Sequence, residues 1–374
     1  MSSTTKPSWV ATRLPFLGRW QADLAAPRRL REPPYYAGYP WLIVAALIFL
    51  AASGLALAVH YNAGTAYNAL QFIDRNVANG WLVHGFHETG TTMLFLLFYY
   101  LLFRGLLERR YKSGFDFVWL LEIAAFALLL LVGWLGYTLS GGAVAYWSLR
   151  GATEAAGILT GPAGALATWF FGGPDGAATL GRVEALHVAL ALLVFVLFSL
   201  HRVARAAVTP PVTGPAGVAF YPYYTGQYFV ALVVFALLFA VLVFFAPHLG
   251  ANPLNAAAAS PLIVPASLTP PWYLTPIAAI SAVFPGLAGG IVGVLAALGC
   301  LAAMPWLDRS APRSRPGGLY RVLVYVLALD VLGLGFALTA SPSLLASILV
   351  VVFTVWYFLH FLVLTPVVTS MEAE

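Results

Sequence analysis

Eight apolar stretches, each long enough to cross a hydrocarbon core, leave this chain few ways to fold. A core of ~30 Å takes about 20 residues of helix. The stretches run approximately over Trp41–His60, Leu82–Phe103, Val118–Leu139, Leu186–Ala204, Tyr228–Pro247, Ile277–Leu307, Val322–Leu338 and Leu344–Leu364. Extended backbone cannot satisfy its hydrogen bonds in lipid, so the expected fold is all-α, an integral membrane bundle of eight transmembrane helices. The sixth stretch is long and contains Pro285, which places its true start near that residue. Composition agrees: 9% of the residues are charged, where soluble domains carry about 25%.

The net charge of +5 could signal a nucleic-acid partner. Its distribution excludes that class, because the basic residues lie between apolar runs and not on one solvated face. They also alternate. One side of the membrane receives Lys6, Arg13, Arg19, Arg28, Arg29, Arg31, Arg104, Arg109, Arg110, Lys112, Arg202, Arg205, Arg309, Arg313, Arg315 and Arg321, while the other receives only Arg75, Arg150 and Arg182. The positive-inside rule then puts both termini in the cytoplasm, as an even number of spans requires, in a plasma membrane of the prokaryotic inner-membrane type. The outer side carries three long connections, roughly 61–80, 140–185 and 248–276, the last rich in proline. The segment up to about Tyr36 has no apolar core beside a cleavage site, so no cleaved signal peptide is expected. Cys300 is the sole cysteine and lies in an apolar run, which leaves no disulfide, thiolate metal site or c-type heme attachment.

Ionisable groups in a membrane are costly and need a partner or a task. The candidates are His60, His84, His87, Glu122, His187, His201, Asp330 and His360. His187 and His201 are fourteen residues apart on one span. That spacing returns to within about 40° of the same helix face and advances it ~21 Å. Two stacked hemes would each take an axial nitrogen from such a stripe, though two unrelated histidines bonded within the bundle would also read this way. His87, near the outer end of the second span, can face His187 and complete a bis-histidine heme b site. A second heme would need a histidine at position 101, where Leu101 stands. The residues alone thus stop at a one-heme bundle with His201 left over.

Fragments spread along the chain carry a resemblance. They are DLAAP at 23–27, SGLALAVHY at 53–61, RNVANGWLVHGFHETG at 75–90, FRGLL at 103–107, GWLGYTL at 133–139, ATLGRVEALH at 178–187, FYPYYTG at 220–226 and PPWY at 270–273. In this order and spacing, from about Leu24 to Pro366, the sequence resembles cytochrome b of the Rieske/cytochrome b quinol-oxidising complexes. The resemblance puts the iron ligands of the outer heme on His87 and His187 and its close-packing glycines on Gly54 and Gly136. Its propionate environment falls on Arg182 and on His84, where the family has a second arginine.

The resemblance also shows what is missing. The inner heme's second-helix histidine is Leu101, and its two glycines fall on Pro40 and Glu122; only His201 and Arg104 remain. The histidine, serine and aspartate of the inner quinone pocket fall on Ala206, Pro210 and Tyr228. In the outer quinol pocket Tyr137, Trp272 and Tyr273 match and are the expected catalytic residues. The glutamate of the family's Pro-Glu-Trp-Tyr motif, however, is Pro271. Ser148 replaces a glycine after Trp147, Ala278 replaces an aromatic, and Ser140-Gly141-Gly142 replaces Pro-Trp-Gly. His248 is a substitute proton acceptor to consider.

The resemblance implies a membrane electron-transfer subunit of a quinol-oxidising respiratory complex, with a single heme b near the outer face. It further implies a dimer with a Rieske iron–sulfur protein and a c-type cytochrome as partners, and quinol as substrate. Residues 1–40 read as a cytoplasmic segment, 41–208 as the heme-binding four-helix bundle, and 209–374 as a four-helix C-terminal part carrying the Pro-Pro-Trp-Tyr loop. Two alternatives stand beside this reading. One is an ordinary two-heme cytochrome b whose inner heme is held by His201 alone; the other is a non-catalytic paralogue that scaffolds a Rieske partner.

Overall fold

The computed structural model describes residues 27–28, 39–157, 160–172, 177–209, 218–312 and 314–372. Its helices are α1 (Tyr39–Ala58), α2 (Ala66–Asn76), α3 (Gly80–Leu107), α4 (Asp116–Thr138), α5 (Ala143–Gly157), α6 (Gly161–Phe171), α7 (Ala177–Val208), α8 (Thr225–Phe245), α9 (Thr275–Val283), α10 (Gly286–Ala302), α11 (Met304–Leu307), α12 (Gly318–Thr339), α13 (Leu344–Leu359) and α14 (Thr365–Met371). A two-residue ladder pairs Pro27–Arg28 with Val218–Ala219.

Seven of these helical stretches are long and apolar enough to cross a membrane by themselves, the last running from α13 through a π turn (His360–Leu364) into α14. The remaining expected span, the sixth, is split. Phe284 and Pro285 are extended, Gly286 has φ +66°, and the helix resumes as α10. Proline has no N–H to give the preceding turn, so the break falls where Pro285 puts it. The chain belongs in a membrane, with α9 and α10 together in the sixth place.

α7 packs along α4 and α1 along α3, while α12 packs against α13 and α9. One core joins the two halves: Phe95, Phe98 and Leu101 of α3, Trp119 and Phe126 of α4, Ile280 of α9, Leu301 of α10 and Leu327 of α12 are all buried in it. The outward faces of α7 and α8 are apolar and bare, as lipid-facing helices are.

The three long connections share one face, called here the long-loop face. α2 buries Ala66, Ala69 and Ile73 there. Asn255 ties the third connection to α5: its Oδ1 accepts the Ala145 N–H at 2.8 Å and its Nδ2 donates to Ser140 Oγ at 2.9 Å. A Cβ on Gly142 would run into Asn255, and Gly141 has φ +65°, so the Ser-Gly-Gly step is what this junction needs. Trp147 donates to the carbonyls of Ser260 and Ile263.

On the short-loop face a buried polar hub closes the molecule. Asp308 meets Arg109 Nε at 3.1 Å, accepts Tyr111 Oη–H at 2.8 Å, and accepts both the N–H and the hydroxyl of Ser310. Arg109 also pairs with Glu372, and Lys112 donates to the Asp308 carbonyl. The hub links the α3–α4 turn, the α11–α12 connection and the C-terminal end of α14.

Candidate functional site

α3 carries His87 two turns from its long-loop end, and α7 carries His187 at a similar distance from its own. The two imidazoles face each other with centroids 6.3 Å apart and planes at 73°. Two metal–nitrogen bonds of about 2 Å each, with about 1 Å from each nitrogen to its ring centre, would put the centroids about 6 Å apart. A metal ion therefore fits between them.

The tautomers suit it too. His187 Nδ1 lies 3.0 Å from the Val132 carbonyl, which can only accept, so the proton sits on Nδ1 and the Nε2 lone pair is left over. His87 Nδ1 lies 3.0 Å from Ser53 Oγ, and that hydroxyl gives its own proton to the Leu50 carbonyl at 3.2 Å. His87 thus also keeps its Nε2 lone pair free. Fixing a ligand histidine through its other nitrogen is the usual way to orient it toward a metal.

Gly54 and Gly136 make room for these rings. A Cβ on Gly54 would stand 2.9 Å from His87 Cε1, and one on Gly136 would stand 2.8 Å from His187 Cε1. Of the two residues expected near heme propionates, His84 is held by Asp74 of α2, Nδ1 to Oδ1 at 2.9 Å, which leaves its second nitrogen unengaged. Arg182 is exposed on the first turns of α7, its guanidinium packed against the backbone of Gly172. The donor set and the cradle fit a bis-histidine heme.

The other end of the same stripe is different. His201 Nε2 lies 2.9 Å from Glu122 Oε1, so the two nominal remnants of a second site bind each other. Glu122 is buried, its Oε2 and His201 Nδ1 make no hydrogen bond, and the Phe198 ring covers His201 at 6.0 Å. Leu101 is in the core, and Arg104 pairs with Glu108 at 2.8 Å. Nearby, Trp119 packs onto Gly105 and donates to the Leu301 carbonyl at 2.8 Å. Of the three positions expected at the inner quinone pocket, Ala206 is exposed and Tyr228 rests against Trp41, ring centroids 5.9 Å apart. Pro210 lies outside the described residues.

The 270–273 loop docks on one stripe of α3. Trp272 Nε1 donates to Thr92 Oγ1 at 3.3 Å, Tyr273 stacks on Phe95 at 4.2 Å and 6°, and Tyr99 donates to the Tyr273 carbonyl at 2.8 Å. The buried hydroxyl of Tyr137 has no hydrogen-bond partner, so it is available to a ligand. Ser148 accepts Trp134 Nε1 at 3.0 Å. Ala278 lies in the first turn of α9. His248 is exposed, 4.0 Å from Glu88. Sequence reasoning missed Ser53, Thr92, Trp134 and Glu88. All lie in or beside matched fragments, but nothing local says what their side chains reach.

A membrane bundle presenting two facing imidazoles and a cradle of two glycines has the form that a heme-binding membrane protein requires. The comparisons make the class specific. The family described as cytochrome b/b6/petB matches residues 31–206, and that described as cytochrome b (C-terminal)/b6/petD matches residues 258–358. Cytochrome b of Rhodospirillum rubrum is 32% identical, covering 97% of this chain and 93% of that protein. Cytochrome b of Rickettsia prowazekii is also 32% identical, over 87% and 85%. A solved structure titled hyperthermophilic respiratory Complex III superposes with a TM-score of 0.83 at 25% identity, covering 98% of this chain and 99% of that one. The chain belongs to the cytochrome b family.

Proposed function

We propose that this chain is the membrane electron-transfer subunit of a quinol-oxidising respiratory complex, holding one heme b between His87 and His187 at the outer face. The observation that carries the reading is the pair of imidazoles 6.3 Å apart, each fixed through Nδ1. Bound there, a heme supplies reversible one-electron chemistry, while the protein supplies ligation, burial and electrostatics. His87 and His187 would ligate the iron, Gly54 and Gly136 would leave room for the ring, and His84 and Arg182 would serve the propionates. Tyr137, with its free hydroxyl, orients a quinol beside Trp272 and Tyr273. Pro271 cannot accept a proton, so the quinol's protons leave by another group.

The long-loop face is the outer one, and both termini lie in the cytoplasm of a cell with a prokaryotic-type plasma membrane. Residues 41–208 form the heme-binding unit and 209–374 the part that carries the quinol-pocket loop. Likeness to a structure titled respiratory Complex III supports membership of a respiratory complex, and the family resemblance implies a dimer that works with a Rieske iron–sulfur protein and a c-type cytochrome. The number of hemes is read from the short-loop half. His201 already spends Nε2 on Glu122, and Leu101 has no lone pair to offer. The two-heme alternative therefore lacks both ligands, and a pure scaffold would not need the complete outer set.

A pyridine hemochrome assay on purified protein is expected to give one heme b per polypeptide. Replacing His87 or His187 by Ala should abolish the low-spin, six-coordinate b-type spectrum. Two hemes per chain, or none, would defeat the reading, as would an unchanged spectrum in both variants.

A further inference from the structure

The two iron ligands are held differently. His187 is backed by the main-chain carbonyl of Val132, which no substitution removes. His87 is backed by a side chain that reaches it from another helix, thirty-four residues away in sequence. Ser53 is buried on α1, immediately before Gly54. Its single proton goes to the Leu50 carbonyl at 3.2 Å, so Oγ meets His87 Nδ1–H as an acceptor at 3.0 Å. A hydroxyl that donates to one group becomes a better acceptor for the next, so the short chain Nδ1–H to Oγ–H to carbonyl polarises in one direction.

Ser53 and Gly54 thus act as a pair. One supplies the hydrogen bond to the imidazole, and the other supplies the space, since a Cβ at 54 would press on Cε1.

We infer that Ser53 is a positioning residue that sets the rotation and the electron-donating strength of the His87 imidazole, and through them the redox potential of the iron it ligates. The inference rests on the heme assignment above. An acceptor at Nδ1–H pushes electron density onto Nε2, which favours the oxidised, more highly charged iron. Taking the hydroxyl away weakens that push and frees the ring to turn. The midpoint potential should therefore rise, and the low-spin electron paramagnetic resonance signal, which reports the angle between the two imidazole planes, should move.

The test is a redox titration and a low-temperature resonance spectrum on four purified proteins: the native chain, Ser53→Ala, Ser53→Thr and Ser199→Ala. Ser199 is a control, because its hydroxyl bonds its own helix at Phe195. Expected are a raised midpoint and a displaced resonance in Ser53→Ala, native values in Ser53→Thr, which keeps the hydroxyl, and native values in Ser199→Ala. Loss of heme from Ser53→Ala but not from Ser53→Thr would also support the role. A native midpoint and resonance in Ser53→Ala, or the same shift in Ser53→Thr, would overturn it. Absence of a low-spin heme from the native chain would instead refute the heme assignment itself.

Discussion

At the scale of residues, the molecule shows how one helix can carry the same amino acid to two ends. His187 keeps its Nε2 lone pair unengaged, whereas His201 is tied to a carboxylate. A lone carboxylate at that depth is expensive, and a neighbouring imidazole can share a proton with it or hold it as an ion pair. Replacing His201 by Leu should leave Glu122 unpaired and lower stability by about 3 kcal/mol. Replacing both by Leu should restore most of the loss, because well-packed apolar groups match a buried pair in stability. Thermal unfolding of the single and double variants in detergent checks this. A double variant as weak as the single one would show that the pair is more than a filler. This approach was legible in sequence, since Glu122 lies fourteen residues before Gly136 and His201 fourteen after His187, and equal helical offsets mean equal depth. The Ser53 contact was not. Helical period places a side chain on a face, but not the rotamer that brings a hydroxyl to a ring on the next helix.

Among elements, the most informative is the one that broke. Length and composition marked a single sixth span and Pro285 marked where its helix would start; α10 does begin there, but the separate helix α9 before the proline was not legible. The amphipathic α2 and the helices α5 and α6 were not legible either, and α5 leans on a loop far away in sequence, Asn255 reaching it across 110 positions. The short-loop hub was equally hidden, for Asp308, Arg109 and Glu372 read as ordinary interfacial charges. Burial alone would lift the Asp308 carboxyl, but hydrogen bonds from Ser310 and Tyr111 and the Arg109 charge hold it below its usual value. Its folded-state value lies below the unfolded one, so the stability it contributes is full above the unfolded value and fades as pH falls through the folded one. Asp308→Asn should cost about 3 kcal/mol at neutral pH. Below about pH 4 the gap between variant and native protein should narrow. Melting temperatures of the two proteins between neutral and acid pH measure it, and a gap that stays constant with pH would rule the mechanism out.

At the scale of the whole molecule, the retained and the lost parts of the family pattern separate by depth. The residues proposed to bind and orient lie toward the long-loop face, and the replaced positions lie in the short-loop half, where Leu101, Glu122 and Trp119 are buried and His201 bonds Glu122. That partition has an electrical meaning. An elementary charge moved across a membrane works against about 2.3 kcal/mol per 100 mV. Where a second redox group would lie ~21 Å deeper, this chain has a hydrogen-bonded plug, so on the one-heme reading no electron passes down the field within it. Quinol oxidation confined to one face then feels no voltage. In proteoliposomes of the assembled complex, turnover should be the same with and without an imposed potassium diffusion potential, and uncouplers should not accelerate it. A rate that slows as the potential is raised would mean that charge crosses the plug after all. On the one-heme reading, the Glu122–His201 contact is an insulator: a subunit of a fold able to charge a membrane would then only empty a pool of reductant along its surface.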